Sequence, residues 1–199
     1  MTFQLEDITM KLRVIATLCL TLALAAGSAS AQSIGFYFDA NGGSCSTNVA
    51  ANTPVNAYMI ANLGGAASGG ITGAEFRVDG WPAGWFGAPS RNPAANIDVG
   101  NPLQGGTNIA FPTCQPGSGG RVLLFTLNAF ATSSPSNLYI RVLQHTSPSN
   151  PNFVCPLVTL CDAVFTKICV TGGVAIINGP PCTVATTSAS WSTVKEMYN

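Results

Sequence analysis

Between Ile71 and Asp79 the sequence ITGAEFRVD alternates residue by residue. Ala74, Phe76 and Val78 fall on one side. Gly73, Glu75, Arg77 and Asp79 fall on the other. A period of two is the signature of a strand with one face against a core and one face in water. The strand then runs into a turn bracketed by tryptophans, Trp81 to Trp85, with Pro82 and Gly84 shaping it.

The same pattern recurs along the chain. Val55, Ala57, Met59, Ala61 and Leu63 alternate with Asn56, Tyr58, Ile60 and Asn62. Further strands are expected at 33–38, 97–99, 107–111, 121–130, 138–143, 164–170 and 174–177. The run RVLLFTLNAF at 121–130 is the most apolar and reads as a central strand buried on both faces. Thr171-Gly172-Gly173 reads as a hairpin turn between the last two strands. Residues 81–86 and 90–96 read as loops, and 153–162 as an irregular segment stapled by cysteines. Two copies of Ser-Pro-Ser-Asn, at 134–137 and 147–150, read as matching polar turns. Roughly nine short strands divided by Gly, Pro and Asn turns make an all-β chain, an antiparallel β-sandwich.

The chain ends are different. Lys11 and Arg13 precede an apolar run from Val14 to Ala26 and a small-residue site at Ala29-Ser30-Ala31. This is the pattern of a cleaved signal peptide over residues 1–31, its apolar run too short to span a bilayer comfortably. Glu6 and Asp7 are out of place in such a leader, so translation is expected to begin at Met10. The sandwich is expected over 32–182 and a linker over 183–190. In 191–199, Trp191, Val194 and Tyr198 have the spacing of a short C-terminal helix, to act as a sorting tag or to dock on the domain.

The mature region keeps six of the seven cysteines: Cys45, Cys114, Cys155, Cys161, Cys169 and Cys182. An even count in an exported chain reads as disulfides. A zinc site would want Cys-x-x-Cys pairs or histidines, and His145 is the sole histidine. Six basic and six acidic residues balance over 32–199, with no basic patch to meet phosphates, so nucleic acid is excluded as a partner.

ITGAEFRVDG with its tryptophan loop, and the closing segment ICVTGGVAIING, resemble the cohesin and cellulose-binding-module type of β-sandwich. The IGFYFD start, the CPLVTLCD segment and the terminal WSTVKEMY also resemble a class of exported bacterial proteins that carry no assigned activity. The resemblance implies a jelly-roll or cohesin-like sandwich and an export route, not a reaction. In cohesin-like sandwiches the first and last strands lie side by side and parallel. Cys45 follows the first strand and Cys182 the last, so the resemblance implies a Cys45–Cys182 bridge.

Trp81, Trp85 and Phe86 are the binding candidates, because exposed coplanar rings stack on sugars; the bland alternative is that they cap one end of the core. Asp39, Asn41 and Asp79 offer hard oxygens for calcium, but the loop after Asp39 has Ala50 where a bidentate acid belongs, and a plain turn explains it better. Glu75, Arg77 and Asp79 read as a solvated charge ladder. His145 with Ser147 or Asp162 lacks the pattern of a nucleophile and base. The expectation is a non-enzymatic structural or adhesive module, secreted, periplasmic or at the cell surface, without cofactor, whose partner is another envelope protein or a polysaccharide. The alternatives are a carbohydrate-binding module using Trp81 and Trp85 and, least, a hydrolase.

Overall fold

A computed structural model describes residues 32–182; the expected leader, linker and C-terminal helix lie outside them. In chain order the strands are β1 (Ser33–Tyr37), β2 (Ser46–Thr47), β3 (Thr53–Asn62), β4 (Ile71–Asp79), β5 (Phe86–Arg91), β6 (Ile97–Asn101), β7 (Gly106–Gln115), β8 (Arg121–Ala131), β9 (Leu138–Leu143), β10 (Leu157–Leu160), β11 (Lys167–Cys169), β12 (Thr171–Gly172) and β13 (Val174–Ile177). A single 3-10 turn, Gly65–Gly69, is the helical element among the described residues. The first sheet runs β12-β1-β3-β8-β5 and the second β11-β10-β4-β9-β13-β2, with β7 and then β6 added along β4. The all-β sandwich expected from the alternation is the architecture observed.

The core follows from the period. Ile34 and Phe36 of β1, Ala57 and Met59 of β3 and Leu127 of β8 face inward from the first sheet, all essentially fully buried. Phe76 of β4, Ile109 of β7, Ile140 of β9 and Ile177 of β13 answer from the second. Phe76 and Phe125 meet edge-on across the layers, with centroids 6.1 Å apart. Thr107 lies on the same inner face, opposite Phe76, and its buried hydroxyl has no hydrogen-bond partner among the described residues.

Three expectations are corrected here. β8 is next to the edge rather than central, and its apolar run is not buried on both faces. A bulge at Leu124 resets its alternation, so Val122 and then Phe125, Leu127 and Ala129 turn inward, while Asn128 and Phe130 stay outside. The segment 86–91 is a strand, β5, that pairs with β8 over its whole length. It lacks alternation because it is a nearly fully exposed edge carrying Pro89.

The third correction concerns Thr171-Gly172-Gly173, which make no hairpin. The chain runs straight on: Thr171 and Gly172 pair in parallel with β1, and Val174–Ile177 pair antiparallel with β9 of the other sheet. Gly173 donates to Ile34 O and accepts from Val142 N–H, stitching the two layers. A Cβ on Gly172 would stand 1.9 Å from Val142 O, so glycine there allows the crossing. On the other flank of the sandwich Arg91 of β5 and Asp98 of β6 make an ion pair at 2.6 Å.

Three cysteine pairs lie at disulfide distance: Cys45 with Cys182, Cys114 with Cys161 and Cys155 with Cys169, with Cα separations of 5.8, 5.5 and 5.6 Å. The first ties the strand pair β2–β13, which is parallel, near its end. The other two hold the β10–β11 hairpin. Cys155 precedes it, Cys161 follows β10 and is linked to β7, and Cys169 closes β11.

Candidate functional site

The tryptophans close one end of the core. Trp85 is buried, Trp81 half-buried, and their rings stand perpendicular with centroids 5.3 Å apart. Trp81 leans on Phe36 at 5.9 Å, and Trp85 Nε1–H donates to Ser133 Oγ at 3.3 Å. A sugar platform needs coplanar exposed faces, whereas these rings are perpendicular and Trp85 is buried. Trp81 and Trp85 pack as a lid on the core, the alternative that the sequence also offered. Phe86 alone of the three is open, at 71 % exposure, beside its cross-strand partner Phe130 on the outer face of the first sheet.

The second sheet carries a different feature. On its outer face the register builds two cross-strand rows over β6, β7, β4, β10 and β11. One row reads Val99, Asn108, Glu75, Leu157, Cys169. The other reads Ile97, Ala110, Gly73, Thr159, Lys167. The middle of the second row is small, so the surface dips. A Cβ at Gly73 would come within 2.9 Å of Ile109 O, which keeps the floor bare. The result is a groove of about 370 Å³. Ile97 and Val99 form one wall, 52 % and 62 % exposed, and Phe165 forms the other at 61 %.

Phe165 is held there by the turn between β10 and β11. Its φ is +53°, a left-handed conformation uncommon for a bulky residue. Asp162 fixes the turn: its Oδ1 accepts Thr166 N–H at 2.8 Å and its carbonyl accepts Phe165 N–H at 3.2 Å. The hydroxyl and amide of Thr166, then the amides of Phe165 and Val164, hold the Asp162 carboxyl below its ordinary range. Asp162 is thus a turn brace, not part of a catalytic set with His145. The Nδ1 of His145 accepts Ser147 N–H at 2.9 Å within its own turn.

Glu75 corrects the charge ladder. It sits on the outer face as its position requires, yet is 6 % exposed. The loop 144–156 covers it, and Ser149 N–H donates to both carboxylate oxygens at 3.0 and 3.2 Å. Arg77 instead pairs with Asp79 at 3.1 Å, leaving Glu75 without a basic partner within 4.0 Å among the described residues. Lys167 Nζ donates to Ser149 Oγ at 3.1 Å from the rim. The two Ser-Pro-Ser-Asn copies therefore do different work. The second clamps Glu75, while the first is gripped by Asn178, whose Nδ2 donates to Pro135 O at 2.8 Å. Asp39 spends its carboxylate on its own loop, accepting Asn41 and Gly43 amides at 2.9 and 3.1 Å and the Ser44 amide as well, and so makes the turn expected of it. Asp79 is taken by Arg77, which leaves the calcium reading unsupported.

The sequence pointed to Ile71–Asp79 but not to the groove. Its signal was present in Gly73, a residue without a side chain two positions before an acid on the same face. The wall residues were illegible, because Phe165 comes from a distant turn.

No protein family matches this sequence, and no curated protein does. Among solved structures the chain is similar to cohesin domains. One is the sixth cohesin of Acetivibrio cellulolyticus scaffoldin B, solved in complex with a dockerin: 13% identity, TM-score 0.45, covering 76% of this chain and 100% of that one. Another is the seventh type I cohesin of ScaB from Pseudobacteroides cellulosolvens, at 9% identity, TM-score 0.46 and 80% and 99% coverage. A third is a non-cellulosomal cohesin from the archaeon Archaeoglobus fulgidus, at 7%, 0.42, 74% and 91%. At these identities and scores the likeness says nothing of what this chain binds.

Proposed function

We propose that this protein is a non-enzymatic interaction module of the secretome or cell envelope, and that it engages another protein through the groove on the outer face of the second sheet. The observation that carries this reading is the convergence of Ile97, Val99 and Phe165 around one concavity. Single exposed apolar residues are ordinary, but several gathered around a dip favour a binding surface. Two cysteine pairs brace the hairpin that presents Phe165, which lowers the ordering cost of binding.

Export is supported by the three cysteine pairs and by the leader pattern. No helix among the described residues is long and apolar enough to cross a membrane. The groove offers one carboxylate, Glu75, where glycoside hydrolysis needs two flanking the bond. That arrangement favours binding over catalysis.

Site-specific photo-cross-linking in the producing cell tests the reading. A cross-linker placed at 99 or 165 is expected to give discrete protein adducts, and one at 86, on the opposite sheet, none. Equal adducts from all three positions, or none from 99 and 165, overturn it.

A further inference from the structure

Resting on that reading, we infer that the groove takes an extended segment of a partner protein and receives one lysine or arginine side chain of it over Glu75. The carboxylate is the deciding feature. It is nine-tenths buried, lines the groove, and among the described residues has a single N–H donor, that of Ser149, shared between its two oxygens. A carboxylate offers about four acceptor sites, so most of its hydrogen-bonding capacity is unspent. A charge withdrawn from water to this degree calls for a counter-charge.

The surroundings define the rest of the ligand. A long basic side chain lays its methylenes along apolar walls and puts its charge at the end. Ile97 and Val99 on one side and Phe165 on the other provide those walls. In an extended segment the residues two before and two after the basic one share its face, so they meet the walls. Small or β-branched apolar residues fit those places. Lys167, at the end of the second row, is tethered to Ser149 and disfavours a second positive charge nearby. The preferred sequence is therefore one basic residue between apolar neighbours at two-residue spacing, not a basic cluster.

Four peptides test this by titration on the purified disulfide-intact exported protein: Val-Thr-Lys-Thr-Val and its arginine, norleucine and glutamate versions at the centre. Lysine and arginine peptides are expected to bind at least tenfold tighter than norleucine, and glutamate weakest. Glu75→Gln is expected to abolish the preference for lysine over norleucine while leaving the norleucine peptide's affinity within twofold. Should Glu75→Gln fail to fold, Lys167→Met takes its place and is expected to tighten the lysine peptide at least twofold. Equal affinity for lysine and norleucine, a preference that survives Glu75→Gln, an unchanged affinity in Lys167→Met, or no binding of any peptide overturns the inference. Groove cross-links that persist beside any of these results keep the docking reading. Their absence overturns that reading itself.

Discussion

The stretch from Ile71 to Trp85 serves two regions that use their side chains in opposite ways. At its far end Trp81 and Trp85, the largest residues in the neighbourhood, close the core, Trp81 against Phe36 and Trp85 against Trp81. At its near end Gly73, the smallest, makes the floor of the groove, and Glu75 is sunk beneath a loop. Aromatic size argued for a binding surface and delivered packing. A missing side chain argued for nothing and delivered a site. The contrast teaches that burial follows the area a side chain has to lose. A tryptophan beside an open core end gains more by covering it than by staying in water.

The largest test of that contrast is Trp85→Ala. Removing a buried tryptophan is expected to cost about 3–5 kcal/mol by chemical denaturation. Groove titrations are expected to be unaffected wherever the variant is folded. A cost near zero, or a lost groove ligand with full stability, would erase the distinction between lid and site.

Next comes Cys155→Ser with Cys169→Ser, which opens a loop of 14 residues. Loop-closure entropy puts the loss at about 3 kcal/mol. Unlike the tryptophan change, it is expected to loosen Phe165 and weaken groove binding while the protein remains folded. NMR of the Phe165 ring and a titration together report both effects.

Thr107→Val is the smaller, opposite change. Among the described residues the hydroxyl lies unpartnered on the inner face of the groove's sheet, opposite Phe76. Replacing it with a methyl of similar shape is expected to add about 1 kcal/mol of stability, read as a rise in the denaturation midpoint. A loss would show that an ordered water satisfies that hydroxyl.

The smallest effect concerns acid. Asp162 has a folded-state value depressed below the 3.8 of a free carboxyl, with Thr166 as the chief cause. Its bracing of the Phe165 turn is present above the unfolded value and is lost as pH falls through the lowered one. Exchange of the Thr166 amide is expected to lose protection there, and Asp162→Asn to remove that pH dependence. The tryptophan end is expected to show no such step.

Much of the fold was legible in the residues. The alternation in 53–62 and 71–79 set the inward faces that the registers show, because strand geometry leaves side chains no other sides to take. The bulge at Leu124 was not legible, since an extra residue in a run of apolar ones leaves no mark. Neither was β5, whose exposed edge carries no period, nor the crossing at Gly172-Gly173, where the same dipeptide suits a hairpin or a close approach of two strands. Of the site, Thr72, Gly73, Ala74 and Glu75 lay in the stretch that drew notice. Ile97, Val99, Ser149 and Phe165 reach it from three other parts of the chain.

By itself the sequence determined that the chain is a sandwich of short strands, stapled by cysteines and poor in charge, because period, turn residues and cysteine parity are local properties. Which side chains meet is a property of register between distant strands. Tertiary structure alone decided that Trp81 and Trp85 close the core, that one Ser-Pro-Ser-Asn covers Glu75 while its twin does not, and that a bare glycine between two walls makes a groove. Each of those outcomes depends on what stands opposite, and that is set only when the sheets pair and pack.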